Sequence, residues 1–181
     1  TELLKKTLDV YTECIKKYGY SAHYALKANT DPVILEMIKS YGLGADCVSG
    51  NEVKVAVKAG FSPDKIVYAG VGKSDKEIEP ALDAGIFSFN CESVEEISVI
   101  EQIAASKKKT ARIALRVNPD IDAHTHKYIS TGRKEDKFGI SPWMFEDVMK
   151  VINSSEHLKL IGLHFHVGSQ ILDLSVFKLL C

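Results

Sequence analysis

Short apolar stretches alternate six times with amphipathic helical stretches along the chain, and this alternation restricts the fold more than any other feature. Strands are expected over residues 23–29, 45–49, 66–69, 86–89, 111–117 and 158–167. Helices are expected over 32–41, 51–59, 75–83, 94–106 and 142–153, with another starting at Leu174. Ser74 and Ser93 stand where N-caps belong, and Gly60 and Gly85 where helices end. A further helical pattern, Leu3, Leu4, Leu8 and Ile15, precedes the first strand. Repeated strand–helix units of this kind build a parallel sheet.

A parallel sheet can be open and doubly wound, or it can close into an eight-stranded barrel. Strand patterning separates the two. In the last strand Ile161, Leu163, Phe165 and Val167 oppose Gly162, His164, His166 and Gly168. In the fifth, Ile113, Leu115 and Val117 oppose Arg112, Ala114, Arg116 and Asn118; in the fourth, Phe87 and Phe89 oppose Ser88 and Asn90. A sheet covered by helices on both faces reads as continuously apolar. One apolar and one small or polar face fits an α/β fold of the (β/α)8 TIM-barrel type, with polar side chains turned inward.

Barrel sites form at the C-terminal ends of the strands. The inward residues expected there are Lys27, Asp46, Asn90, Arg116, Asn118 and His166, with Ser169 in the turn that follows. Lys27 ends a strand in which His23, Ala25 and Lys27 are expected on one face. Small neighbours leave room against its amine, a Schiff-base nucleophile where its surroundings lower its pKa. Each residue also has a structural reading: a solvated lysine, an Asp46–Arg116 ion pair, an interior histidine, a helix start at Gly168-Ser169. Jointly they match a phosphate-bearing aldehyde cofactor: an amine for the imine, an imidazole to stack on a flat ring, and donors for a phosphate.

The 181 residues suit one domain, and 45% hydrophobic content suffices for a core. A net charge of −1 gives no reason to expect a polyanion or membrane partner, and Lys107-Lys108-Lys109 reads as a solvated helix end. No apolar run approaches the roughly 20 residues of a membrane span, and no signal-peptide pattern is present. Cys14, Cys47, Cys91 and Cys181 are widely spaced, which reads as free thiols in a reducing, cytoplasmic setting. His124 and His126 lack a nearby third ligand, so no metal site is expected.

Seven motifs occur in order. They are Tyr24–Asn29, Gly44–Gly50, Arg116-Val117-Asn118-Pro119, His124-Thr125-His126, Ile129–Gly132, Lys137-Phe138-Gly139 and His164–Gln170. Together, from about Tyr20 to the last residue, they resemble the diaminopimelate decarboxylase family, in the alanine-racemase-like barrel group of pyridoxal-phosphate enzymes. Gln170 and the His-Thr-His motif favour this family over ornithine decarboxylases. The resemblance implies pyridoxal 5'-phosphate as cofactor, Lys27 as its Schiff-base lysine, His166 stacked on the ring and Ser169 on the phosphate. Asp46 and Arg116 match polar residues near the lysine and the ring oxygen, and 119–139 matches an active-site loop. Asn51 stands where the family usually has glycine, at a helix start where little effect is expected.

The implied activity is decarboxylation of meso-diaminopimelate to L-lysine, in lysine biosynthesis, by a cytoplasmic homodimer. The alternatives are an ornithine- or arginine-type decarboxylase of the same fold, or a non-catalytic pyridoxal-phosphate-binding barrel protein. Residues 1–181 are expected to be a partial barrel domain of about six strand–helix units. The last two strands and the C-terminal β-domain of the family are expected to be absent, and the fragment itself to be inactive.

Overall fold

A computed structural model describes residues 2–118, 138–169 and 171–180. Two compact units divide within the fourth strand, Thr1–Phe89 and Asn90–Cys181. The strands are hydrogen-bonded in chain order in a six-stranded sheet.

The first unit contains α1 (Glu2–Tyr18), β1 (His23–Ala25), α2 (Pro32–Ser40), β2 (Gly44–Cys47), α3 (Gly50–Lys58), β3 (Ile66–Tyr68), α4 (Asp75–Ala84) and the start of β4 (Ser88–Cys91). Pairing is parallel throughout, with Ala25 beside Asp46, Asp46 beside Val67, and Val67 beside Ser88. The strand expected over 23–29 stops at Ala25, and Leu26–Ala28 form a 3-10 turn. The chain must reverse into α2, which Asp31 caps by accepting from the N–H groups of Val33 and Ile34, with Pro32 in the first turn. β4 begins at Ser88 and reaches Cys91, two residues later at each end than the expected 86–89.

Two helices of this unit, and one of the next, start with Ser-x-x-Glu. Ser49 Oγ accepts from Glu52 N–H (3.2 Å), and Glu52 accepts from Val48 N–H (2.8 Å). Glu77 accepts from the N–H (3.2 Å) and hydroxyl (2.8 Å) of Ser74, and its other oxygen accepts from Gly50 N–H (2.9 Å). That last bond ties the start of α4 to the start of α3. It also requires glycine at 50, where a Cβ would lie 2.5 Å from Glu77 Cγ. The buried faces are Leu35 and Ile38 of α2, Val53 and Ala56 of α3, and Ile78 and Ala81 of α4. Each large aliphatic side chain contributes about 1.5–3 kcal/mol by leaving water.

The second unit contains the end of β4, α5 (Val94–Ser106), β5 (Ala111–Val117), α6 (Phe145–Asn153), β6 (Leu158–Phe165) and α7 (Ser175–Leu180). α5 and β5 match the bounds read from the sequence. A 3-10 turn over Pro142–Met144 replaces the first turn of the helix expected at 142. β5 and β6 pair in parallel with a register shift: Ile113 faces Leu160, but Ala114 faces Gly162. Ile161 is therefore an extra residue, and the bulge reverses the parity of β6 so that Leu158, Leu160, Leu163 and Phe165 all share the face of Ile113 and Leu115. The expectation that Ile161 shares the face of Leu163 does not hold for this reason. Leu163 and Phe165 are also not covered by helix as strand patterning implies: they are 53% and 37% exposed. α7 packs Val176 with Val167, Ile171 and Leu180 instead. Among the described residues no helix is long and apolar enough to cross a membrane.

Candidate functional site

Lys27 lies in the 3-10 turn just past the C-terminal end of β1. Its immediate neighbour Leu26 is fully buried, whereas Lys27 and Ala28 are exposed. Leu26 thus anchors the turn and Lys27 is presented outward from it. Strand alternation does not place Lys27, because the strand has already ended; the change of period sets its direction. Asp46 stands half-buried on β2, level with Ala25. Burial pushes its carboxyl above the ordinary range, the Lys27 charge pulls it back, and Glu52 pushes it up again. Lys27 and Asp46 are therefore electrostatic partners at one end of the first unit. The adjacent Cys47 thiol is pushed far up by burial, with Glu52 and Asp46 adding to it, which keeps it protonated and unreactive.

The second unit holds the other cluster. Asn90, Glu92, Arg116 and Asn118 are each 7% exposed. Arg116 Nη1 donates to both oxygens of Glu92, at 2.7 and 3.0 Å. The carboxylate that pairs with Arg116 is thus Glu92, which is not among the residues the sequence motifs single out. Its signal was present: Ser88, Asn90 and Glu92 continue one alternation, but the strand was expected to end at Phe89. The ring centroid of Phe138 lies 5.0 Å from Arg116 Cζ. Gly139 next to it has φ +82°, and a Cβ there would lie 3.0 Å from both Arg116 O and Asn118 N. Ile140 then donates to Arg116 O (2.7 Å) and accepts from Asn118 N–H (3.0 Å). The Phe138-Gly139 pair is explained by this close seam along the end of β5.

His164, half-buried, pairs in register with Arg116. His166 is half-buried just past β6, Gly168 adopts φ +135°, and Ser169 is exposed in a bend. α7 starts only at Ser175, so Gly168-Ser169 is a free-standing turn and not a helix start. The loop calling for attention at 119–139, with His124 and His126, lies outside the described residues except for Phe138 and Gly139. Of the five residues singled out, Lys27 and Asp46 are together in the first unit. Arg116, His166 and Ser169 belong to the second. Within the first unit, the Lys27 amine near the Asp46 carboxylate has the chemistry to take an aldehyde; within the second, the Arg116 guanidinium, the His166 imidazole and the Gly168-Ser169 bend have the chemistry to meet a flat ring and a phosphate.

Residues 2–180 match the family model described as pyridoxal-dependent decarboxylase, pyridoxal binding domain. The chain belongs to this decarboxylase family. A diaminopimelate decarboxylase of Bacteroides thetaiotaomicron is 51% identical across all of the chain, which spans 47% of that relative. The diaminopimelate decarboxylase of Helicobacter pylori, solved as a point mutant complexed with L-lysine, is 44% identical with a TM-score of 0.89; the match covers 94% of the chain and 44% of that structure. The M. jannaschii diaminopimelate decarboxylase, in co-complex with L-lysine, is 34% identical with a TM-score of 0.88, covering 97% of the chain and 42% of that structure. The chain therefore spans about half the length of these decarboxylases. Its fold is their alanine-racemase-like barrel, of which the described residues carry six strands. The cofactor of this decarboxylase domain is pyridoxal phosphate.

Proposed function

We propose that the protein containing this chain decarboxylates meso-diaminopimelate to L-lysine, as a step of lysine biosynthesis. The observation that carries this reading is the 51% identity to a diaminopimelate decarboxylase along the whole chain. Lys27 would hold the cofactor through its aldehyde, its amine being the nucleophile this chain offers for that. Asp46 balances the lysine charge while the amine is protonated. His166 would meet the flat ring of the cofactor with its imidazole, Arg116 would supply a positive charge to a polar ring atom, and Ser169 with Gly168 would supply donors to the phosphate. When bound, the cofactor supplies the electron sink that accepts the carbon–carbon bonding pair as carbon dioxide leaves. The remaining strands, a C-terminal β-domain and a homodimer contact complete the enzyme, which acts in the cytoplasm.

The test is an assay of the full-length protein, loaded with pyridoxal phosphate, against meso-diaminopimelate, ornithine and arginine. Lysine and carbon dioxide from the first substrate, with at least about a hundredfold lower turnover on the others, is the expected result. Preferred turnover of ornithine or arginine assigns the chain to another decarboxylase of the same fold. Cofactor binding without turnover of any of the three makes it a binding protein.

A further inference from the structure

Arg116 is gripped from three sides within the second unit. Its guanidinium is bound by Glu92, its Cζ lies over the Phe138 ring, and its carbonyl accepts from Ile140 N–H. The two side chains of the ion pair are 8% and 4% exposed. Glu92 is itself held: its N–H donates to Glu96 (2.9 Å), and Glu96 N–H donates to Ser93 Oγ (3.1 Å) at the start of α5. The carboxylate is thus presented from a stiff joint between β4 and α5. Phe138 is held equally firmly, because Gly139 and Ile140 are laced to the end of β5. A buried ion pair is a weak way to stabilise a core, since well-packed apolar side chains of the same volume serve as well or better. What two rigidly mounted partners achieve is a single orientation of the guanidinium.

We propose that Glu92 and Phe138 are positioning residues that fix the guanidinium of Arg116 toward the cofactor. The proposal rests on the reading that Arg116 contacts the cofactor. Glu92 sets the direction of the guanidinium through Nη1, and Phe138 restricts its swing by placing a ring 5.0 Å from Cζ. Neither residue touches the reacting atoms; both act through Arg116.

The experiment uses the full-length holoenzyme with Glu92→Gln, Glu92→Asp, Phe138→Leu, Arg116→Gln and the double variant Glu92→Gln/Arg116→Gln. The dissociation constant of pyridoxal phosphate is read from the absorbance of the bound cofactor, alongside kcat, KM and Tm. Glu92→Gln is expected to weaken cofactor binding about tenfold to a hundredfold, with kcat falling more than KM rises. Glu92→Asp recovers part of the loss, and Phe138→Leu loses a few-fold on the same scale. In the Arg116→Gln background, Glu92→Gln changes cofactor affinity by less than about twofold, because its route of action is gone. An unchanged affinity in Glu92→Gln, or a loss of equal size with and without Arg116, overturns the proposal. If Glu92→Gln does not fold, Glu92→Asp and Phe138→Leu decide: a lowered Tm with wild-type affinity and kcat overturns it equally. Failure of the underlying reading is distinct, for then Arg116→Gln by itself leaves the dissociation constant of pyridoxal phosphate at the wild-type value.

Discussion

The hydroxyl of Tyr24 donates to the carbonyl oxygen of Asn29 at 3.1 Å, bridging the turn that carries Lys27. Asn29 in turn accepts from Asp31 N–H at 2.8 Å through its side chain, so the turn is closed at both ends before α2 starts. Tyr24→Phe removes the bridge and little else. It is expected to lower stability by no more than about 1 kcal/mol, since the bond is exposed, and to raise the cofactor dissociation constant a few-fold. Equilibrium denaturation and cofactor titration of the same variant check both halves.

Gly139→Ala should be among the more damaging single-methyl additions in the second unit. The left-handed backbone alone costs about 1–2 kcal/mol in alanine, and the new Cβ meets Arg116 O and Asn118 N at 3.0 Å. Gly19→Ala is the control, with φ +68° but nothing within 4 Å of the added carbon. Urea midpoints should fall clearly further for residue 139 than for residue 19. Equal losses mean that the seam against β5 contributes nothing.

Two carboxylates titrate with opposite sign. Hydrogen bonds from Ser74 and Gly50 hold Glu77 below the usual range, with Lys54 helping and burial opposing. Its folded pKa is below the unfolded one, so its contribution is complete above about pH 4.3 and is lost as pH falls through the folded value. Asp46, raised chiefly by burial, behaves conversely: its contribution is complete below about pH 3.9 and is lost as pH rises through the folded value. Glu77→Gln should therefore flatten the acid side of the stability profile. Asp46→Asn should gain on the wild type as pH rises through that upper window. Urea midpoints between about pH 3 and 7 measure both slopes.

His166→Ala is expected to lower turnover of the full-length enzyme on the order of a hundredfold, because a misplaced ring reacts poorly, while the covalent link at Lys27 survives at saturating cofactor. His164→Ala, within β6, should act mainly on stability. Turnover and reductive labelling of both variants settle which imidazole stacks; the reverse pattern exchanges their roles.

Long, regular segments were legible from sequence alone. α5 and β5 have the bounds that periodicity predicts, because each is a sustained pattern with a clear start and stop. The strand at Lys27 was not, because three residues of β1 leave too little alternation to reveal where the 3-10 turn takes over. The bulge at Ile161 was invisible for a different reason: it depends on pairing with β5, which no local pattern encodes. Asp46 beside Lys27 could be anticipated from strand order. Glu92 as the partner of Arg116 is carried by the Ser88, Asn90, Glu92 alternation, but only once β4 is known to run to Cys91 and not to stop at Phe89.

We propose that Lys27 carries the cofactor. Reduction of the pyridoxal-phosphate-loaded full-length protein with borohydride, followed by peptide mapping, tests it directly. A single pyridoxyl group on Lys27, lost in Lys27→Ala, is expected. A pyridoxyl group on a different lysine, or labelling that persists in Lys27→Ala, contradicts it.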